Sequence, residues 1–224
     1  MTAEFDAATQ LHLKAELDSL YAEFDEVHPR DRIDRVMEDS IERLRKPEGV
    51  DTYLPALARR LARERLRAAG QREGTIAKDM PEVLFVSGHD MGRAQIAAAV
   101  MSKLCGERVS VHSAALARDL GELDPNVRLA IEELGVDLEV AYAKPLTEEV
   151  LAGADVIVTM GRSVGEVTIP EGADYRDWRV GDPRGAPLDE VRRIRADVAE
   201  RVEALLAEIA PEDAPADPAT RGAP

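Results

Sequence analysis

Apolar positions in the first third of the chain recur at helical spacing. Leu13, Leu17, Leu20, Tyr21 and Phe24 form one stripe, and Ile33, Val36, Met37, Ile41 and Leu44 form a second. A third, through Leu54, Leu57, Leu61 and Leu66, stops near Gly70. His28-Pro29 marks a turn between the first two, and the Pro- and Gly-containing run from Lys46 to Asp51 breaks the second from the third. The spacing predicts an all-α three-helix bundle over residues 1–75. The polar stretch from Gly70 to Pro81 reads as a connection, with residues 76–81 as the linker. Beyond it the period changes. Val83-Leu84-Phe85-Val86 is a short continuous apolar run, suited to a strand buried on both faces. A helical pattern through Ile96, Val100, Met101 and Leu104 follows, then a strand around Val109, Val111 and His112. Asp124 suits a helix N-cap and Pro125 the first helical position, opening a helix with Val127, Leu129, Ala130, Ile131 and Leu134. Asp155 to Met160 reads as a third strand and Tyr175 to Val180 as a short fourth. Residues 188–209 form a long amphipathic helix with Val191, Ile194, Val198, Val202, Leu205, Leu206 and Ile209 inward. Strands alternating with helices predict an α/β domain over residues 82–210, a parallel sheet with helices on both faces. The Pro/Ala-rich tail, residues 211–224, has no apolar face and is expected to be disordered.

Composition narrows the function classes. The 224 residues carry 29 basic and 44 acidic side chains, a net charge of −15. That balance argues against a nucleic-acid partner, which needs a basic footprint, and against an anionic membrane surface. Apolar residues make up 45% of the chain but aromatics only 4%, so aliphatic side chains and Ala must fill the core. A single cysteine, Cys105, excludes an internal disulfide and a Cys-rich zinc site. His12, His28, His89 and His112 show no metal-ligand spacing, and neither a metal nor a cofactor is expected. No apolar stretch approaches the ~18 residues of a membrane span, and the N-terminus lacks a basic-then-apolar signal, so a cytoplasmic protein is expected. Charge is uneven within the bundle. The first helix is acidic (Glu4, Asp6, Glu16, Asp18, Glu23, Asp25, Glu26) and the third basic (Arg59, Arg60, Arg63, Arg65, Arg67). These faces either complement each other inside one bundle or form a dimer interface.

The segment from Val83 to Gln95 carries the candidate chemistry. It reads as strand, tight loop and helix start, with Ser87, Gly88, His89, Asp90, Met91, Gly92 and Arg93 in the loop and first turn. Successive backbone N–H groups at a helix N-terminus can cradle an anion. In open α/β sheets ligands lie at the carboxyl ends of strands, where this loop falls. Arg93 could add a bidentate grip on an oxyanion. From the residues alone, an ordinary βα turn with an exposed Arg is equally compatible.

The loop resembles the Cys-x5-Arg phosphate loop of low-molecular-weight tyrosine phosphatases, especially their arsenate reductase branch. The likeness runs from about Glu82 to Ile209. Its landmarks are Ser113-Ala114 after the second strand, Asp124-Pro125-Asn126-Val127, Lys144-Pro145-Leu146-Thr147, the strand Asp155 to Met160 with Gly161, Asp177-Trp178, Asp182-Pro183, and Val191-Arg192-Arg193-Ile194-Arg195. The helical N-terminal segment is similar to a three-helix dimerisation module attached to some actinobacterial members. The resemblance implies a four-stranded parallel sheet and a homodimer formed through residues 1–75. It places a phosphate, arsenate or sulfate-like anion in the loop, Ser87 at the nucleophile position, Arg93 on the anion and Asp182 as general acid. Implied partners are a phosphorylated protein or a thiol reductant.

The chain also departs from that pattern. Ser87 stands where the family has cysteine, and a serine hydroxyl has no accessible anionic form and no evident base beside it. Arsenate reduction draws electrons from sulfur, which an alkoxide cannot supply. Asp90 stands where the family usually has Asn, and Ala94 where it usually has Ser; the run Gly161-Arg162-Ser163-Val164-Gly165 lacks the further cysteines of many reductases. Three readings remain: a degenerate oxyanion- or phospho-ligand-binding protein, an active arsenate reductase or phosphatase whose cysteine has been replaced, or a purely structural dimer. Asp90 and Ala94 favour the first. Without a nucleophile, Asp182 reads as readily as a turn residue as a general acid. His89 is expected to be solvent-exposed, Cys105 structural, Trp178 in the core or at a pocket rim, and Arg162 at the pocket border.

Overall fold

The computed structural model describes residues 5–45, 51–88, 91–117, 123–136, 144–161 and 167–211. The expected three helices form at the N-terminal end: α1 (Ala7–Phe24), α2 (Arg30–Leu44) and α3 (Leu54–Glu73), the last preceded by a 3-10 turn at Asp51–Tyr53. Asp6 caps α1 by accepting from the Thr9 amide at 2.7 Å. The stripes of the first two helices converge as their spacing predicts, whereas the third helix turns Ala58 and Ala62 as well as Leu66 to the bundle. Leu20, Phe24, Ile33, Met37, Ala58, Ala62 and Leu66 are buried together, with Leu13, Leu17, Tyr21, Val36, Ile41 and Leu44 packed at the margin. His28, at the α1–α2 turn, is buried beside the Phe24 ring with Nε2 2.9 Å from the Leu66 carbonyl, which ties the turn to α3. The acidic face of α1 meets the basic face of α3 inside the bundle: Arg59 pairs with Glu16 at 2.6 Å and Arg63 with Glu23 at 2.7 Å.

The third helix runs past Gly70, where the sequence suggested a stop. Gly70 makes room for a side chain folding back over it: a Cβ there would lie 2.7 Å from Ile76 Cδ1. The terminator is Gly74, at φ 74°, with the Thr75 and Ile76 amides returning to the Gly70 carbonyl. Ile76 thereby joins the bundle core.

Strands β1 (Glu82–Ser87), β2 (Ser110–Ala115), β3 (Val156–Met160) and β4 (Asp174–Trp178) form one parallel sheet in the order β2-β1-β3-β4. Helices α4 (Met91–Cys105), α5 (Pro125–Glu132) and α7 (Leu188–Ile209) cover one face, where Val83, Phe85, Val156, Val158 and Met160 pack with Ile96, Val100, Val198 and Val202. The alternate residues Leu84, Val86 and Ile157 face the other side, under Val150 of α6 (Glu148–Gly153) and Ala68 of α3. Both faces are therefore covered, which is why β1 and β3 are buried along their whole length. Leu129, assigned to the apolar stripe of α5, instead lies 45% exposed.

The bundle's third helix thus belongs to two cores. Its Ala68 is so close to α6 that a Cβ on Gly153 would sit 3.1 Å from the Ala68 Cβ. Charges bridge the same junction. Buried Arg65 of α3 reaches Asp39 of α2 at 2.7 Å and Glu149 of α6 at 2.9 Å. Lys144 Nζ holds both Glu64 oxygens at 2.5 Å, and His112 Nε2 lies 2.8 Å from Glu82, which also accepts from Gln71 at 2.9 Å.

Candidate functional site

The strand order changes direction at β1, whose neighbours are β2 on one side and β3 on the other. The crevice at the carboxyl end of such a switch point is where open α/β sheets bind ligands. β1 ends there at Ser87, fully buried and opposite Ala115 and Met160 in the register. The carbonyls of Ser87 and Gly88 accept from the Leu116 amide at 3.0 and 3.2 Å, and Gly88 also accepts from Ala117, so the start of the loop is pinned to the segment after β2. His89, Asp90 and Arg162 lie outside the described residues, and of Met91 only the backbone is described. Met91 and Gly92 open α4, with Arg93 in its first turn and Ala94 buried behind it. The first amides of a helix receive no bond from within the helix's own ladder, so a helix N-terminus favours negative charge.

Arg93 is held rather than dangling. Its side chain is 13% exposed, its Nε–H donates to the Gly181 carbonyl at 2.8 Å, and Nη2 lies 3.2 Å from Asp182 Oδ2. Nη1 rests against Gly161 so closely that a Cβ there would be 3.0 Å away; Gly161 also adopts φ +102°. The positive φ favours glycine at 161, and a side chain there would also have to displace the end of Arg93 by a few tenths of an ångström. The structure thus brings together Arg93 at the start of α4 and Asp182 in the loop after β4, five elements later in the chain. Asp182 accepts in addition from the Arg184 amide at 3.1 Å and from Arg184 Nη2 at 3.2 Å. The loop 181–186 is anchored to the start of α5, where Asp124 Oδ1 accepts from Asn126 N at 2.8 Å, Oδ2 from Gly185 N at 2.9 Å, and Asn126 Nδ2 donates to the Ala186 carbonyl at 2.9 Å. The Gly185 amide, with those of Asn126 and Val127, holds the Asp124 carboxyl below its usual range against the opposing effect of burial.

Other sequence candidates resolve into structure. Cys105 closes α4, is buried, and has its thiol pushed up by that burial. Trp178 is buried against Phe85 with ring centroids 5.8 Å apart, a core contact. Lys144 and His112 belong to the junction with α3. Gln95 is fully buried on α4 with neither amide atom hydrogen-bonded among the described residues. The Gly181 carbonyl, the Gly161 contact and the Asp124–Gly185 tether carry no sequence signal of their own. Among the described residues no cluster of His, Cys, Asp or Glu could hold a metal ion, and no helix is long and apolar enough to cross a membrane.

Residues 82–214 match the family described as low molecular weight phosphotyrosine protein phosphatase, and residues 13–70 match a protein-tyrosine-phosphatase-like N-terminal domain. The glutaredoxin arsenate reductase of Synechocystis is 29% identical over 133 residues, covering 58% of this chain and 99% of that protein. The solved thioredoxin-dependent arsenate reductase of Corynebacterium glutamicum is 31% identical at a TM-score of 0.76, covering 88% of this chain and 96% of that one. An arsenate reductase solved in a phosphate binding state is 27% identical at a TM-score of 0.50, covering 58% of this chain and all of that one.

Proposed function

The chain belongs to the low-molecular-weight phosphotyrosine protein phosphatase family, in its arsenate reductase branch with an added N-terminal domain, and we propose that within it this protein binds an oxyanion without performing thiol chemistry. The observation that carries the reading is the serine at the end of β1. Ser87 occupies the first position of the loop whose first α-helical turn supplies Arg93. Reducing arsenate to arsenite takes two electrons, which thiols deliver by ending as a disulfide. The only cysteine of the sequence, Cys105, closes α4, and 14 residue steps from Met91 place it about 20 Å from the helix start. It is buried and its thiol is pushed up, so it is no relay. Asp182, 3.2 Å from Arg93 Nη2, acts in this reading as the counterion of Arg93, because without a nucleophile there is no leaving group to protonate.

The ligand class is a tetrahedral oxyanion, free phosphate, arsenate or sulfate, or a phosphorylated partner. A homodimer through residues 1–75 fits the large apolar side chains left exposed on that part, Leu11 at 67% and Tyr53 at 75%. The test is turnover. Arsenate reduction with thioredoxin and with a low-molecular-weight thiol, and hydrolysis of an aryl phosphate, are measured for the protein and for Ser87→Cys. The expected result is no turnover above background by the protein; turnover at enzymatic rates would overturn the proposal. Full activity restored by Ser87→Cys alone would favour the reading of an intact enzyme carrying a replaced nucleophile.

A further inference from the structure

We infer that Asp124 and Asn126, at the start of α5, are positioning residues for Arg93. The chain of contacts is short. A guanidinium has five N–H donors arranged around two edges. The Nε–Nη2 edge of Arg93 faces the Gly181 carbonyl and the Asp182 carboxylate. Among the described residues that engagement leaves the other donors, on Nη1 and Nη2, to grip an oxyanion, and Gly161 lies close against the Nη1 side. What holds residues 181 and 182 in place is the far end of their loop. It is fastened to α5 by two bonds that do not involve Arg93: Gly185 N to Asp124 Oδ2 at 2.9 Å, and Asn126 Nδ2 to the Ala186 carbonyl at 2.9 Å. Gly181 is constrained on its other side, where a Cβ would lie 3.1 Å from Ile194 Cγ1 of α7. Asp124 is thus more than a cap. One oxygen caps α5 through Asn126 N and the other reaches out of the helix to the loop.

An arginine ordered in advance loses less side-chain freedom when an anion binds. The loop tethers therefore set both the orientation of Arg93 and part of the anion affinity. The second consequence rests on the oxyanion-binding reading; the first does not.

The division of labour between the two Asp124 oxygens supplies the test. Asp124→Asn keeps a good N-cap residue but leaves one oxygen for two N–H donors. Asn126→Ala removes the second tether and leaves the cap intact. The primary readout is the Arg93 Nε–H resonance in ¹⁵N spectra, assigned by its loss in Arg93→Lys. In the unaltered protein it is expected to be dispersed and slow to exchange. In Asn126→Ala and in Asp124→Asn its exchange should speed roughly twofold to tenfold, the weight of one modest hydrogen bond, and inorganic phosphate should bind weaker by a similar factor. The thermal midpoint of Asn126→Ala should stay close to that of the parent. An unchanged Arg93 resonance in both variants, or a drop in midpoint with the resonance intact, would overturn the inference. If the unaltered protein binds no phosphate, the proposed function fails, while the resonance still decides whether α5 positions Arg93.

Discussion

Replacing Lys144 by Met tests how strongly the bundle's third helix is locked to the sheet domain. Lys144 is 4% exposed and holds both oxygens of Glu64, whose side chain is 22% exposed. Burial alone would raise the Glu64 carboxyl, but Lys144 and His112 outweigh it and carry the group from 4.5 to about 2. A displacement of that size corresponds to roughly 3 kcal/mol favouring the charged form. Breaking a buried pair by removing one partner costs about 3–5 kcal/mol, because the other charge stays behind. Glu64 keeps some exposure, and His112 Nδ1 remains 3.7 Å away, so the lower end applies. The expected loss is about 3 kcal/mol, or roughly 6–12 °C in midpoint for a chain of this length. Removing both charges, in Lys144→Met with Glu64→Gln, should recover much of it, since a matched apolar or neutral pair avoids burying an orphan charge. Thermal and urea unfolding of the two single variants and the double variant give the coupling directly. A coupling of at least about 2 kcal/mol is expected. Additive effects, or a Lys144→Met loss below about 1 kcal/mol, would refute the reasoning.

The same junction makes stability depend on pH from two sides. His112 is pulled down by burial but raised overall above 6.5 by Glu64 and Glu82, so its contribution is complete below about pH 6.5 and is lost as pH rises through the raised value; His112→Gln should flatten that alkaline fall in a pH series of urea midpoints. Glu64 and Glu82, both held at about 2, contribute fully above about pH 4.5, and that contribution should be lost as pH falls toward 2. Gly153→Val should force α6 off Ala68 and cost roughly 1–3 kcal/mol in the same assay, whereas an unchanged midpoint would show that the two helices part easily. Gly161→Ala combines a left-handed backbone with a contact on Arg93 Nη1, and is expected to weaken phosphate binding more than it lowers the thermal midpoint.

Much of this molecule can be read from its sequence where the signal is local. The helical stripes of α1 and α2 contain the apolar residues these helices bury in the bundle, Leu20, Phe24, Ile33 and Met37, and those they pack at its margin, because an amphipathic helix has one face to bury. Asp124-Pro125 marks the start of α5 for an equally local reason. The third helix misleads because it has two partners. Its Ala62 and Leu66 serve the bundle while Ala68 serves the sheet, and Gly70 is a contact point rather than an end. Ser87 and Arg93 are legible as a strand–loop–helix unit. The partners that aim Arg93 are not: a carbonyl at 181 and a bare Cα at 161 have no side-chain signature, and both come from distant turns. Arg65 and Lys144 are buried, and His112 half-buried, only because a helix from one part of the chain closes over a strand edge of the other, a contact with no local signal.

The central claim is an oxyanion site that works through Arg93 and without sulfur. Calorimetric titration of inorganic phosphate into the protein and into Arg93→Met tests it most directly. Saturable binding at one site per chain, lost in Arg93→Met while the fold is retained, is the predicted result. No binding to the parent protein, or binding that Arg93→Met leaves unchanged, would contradict it.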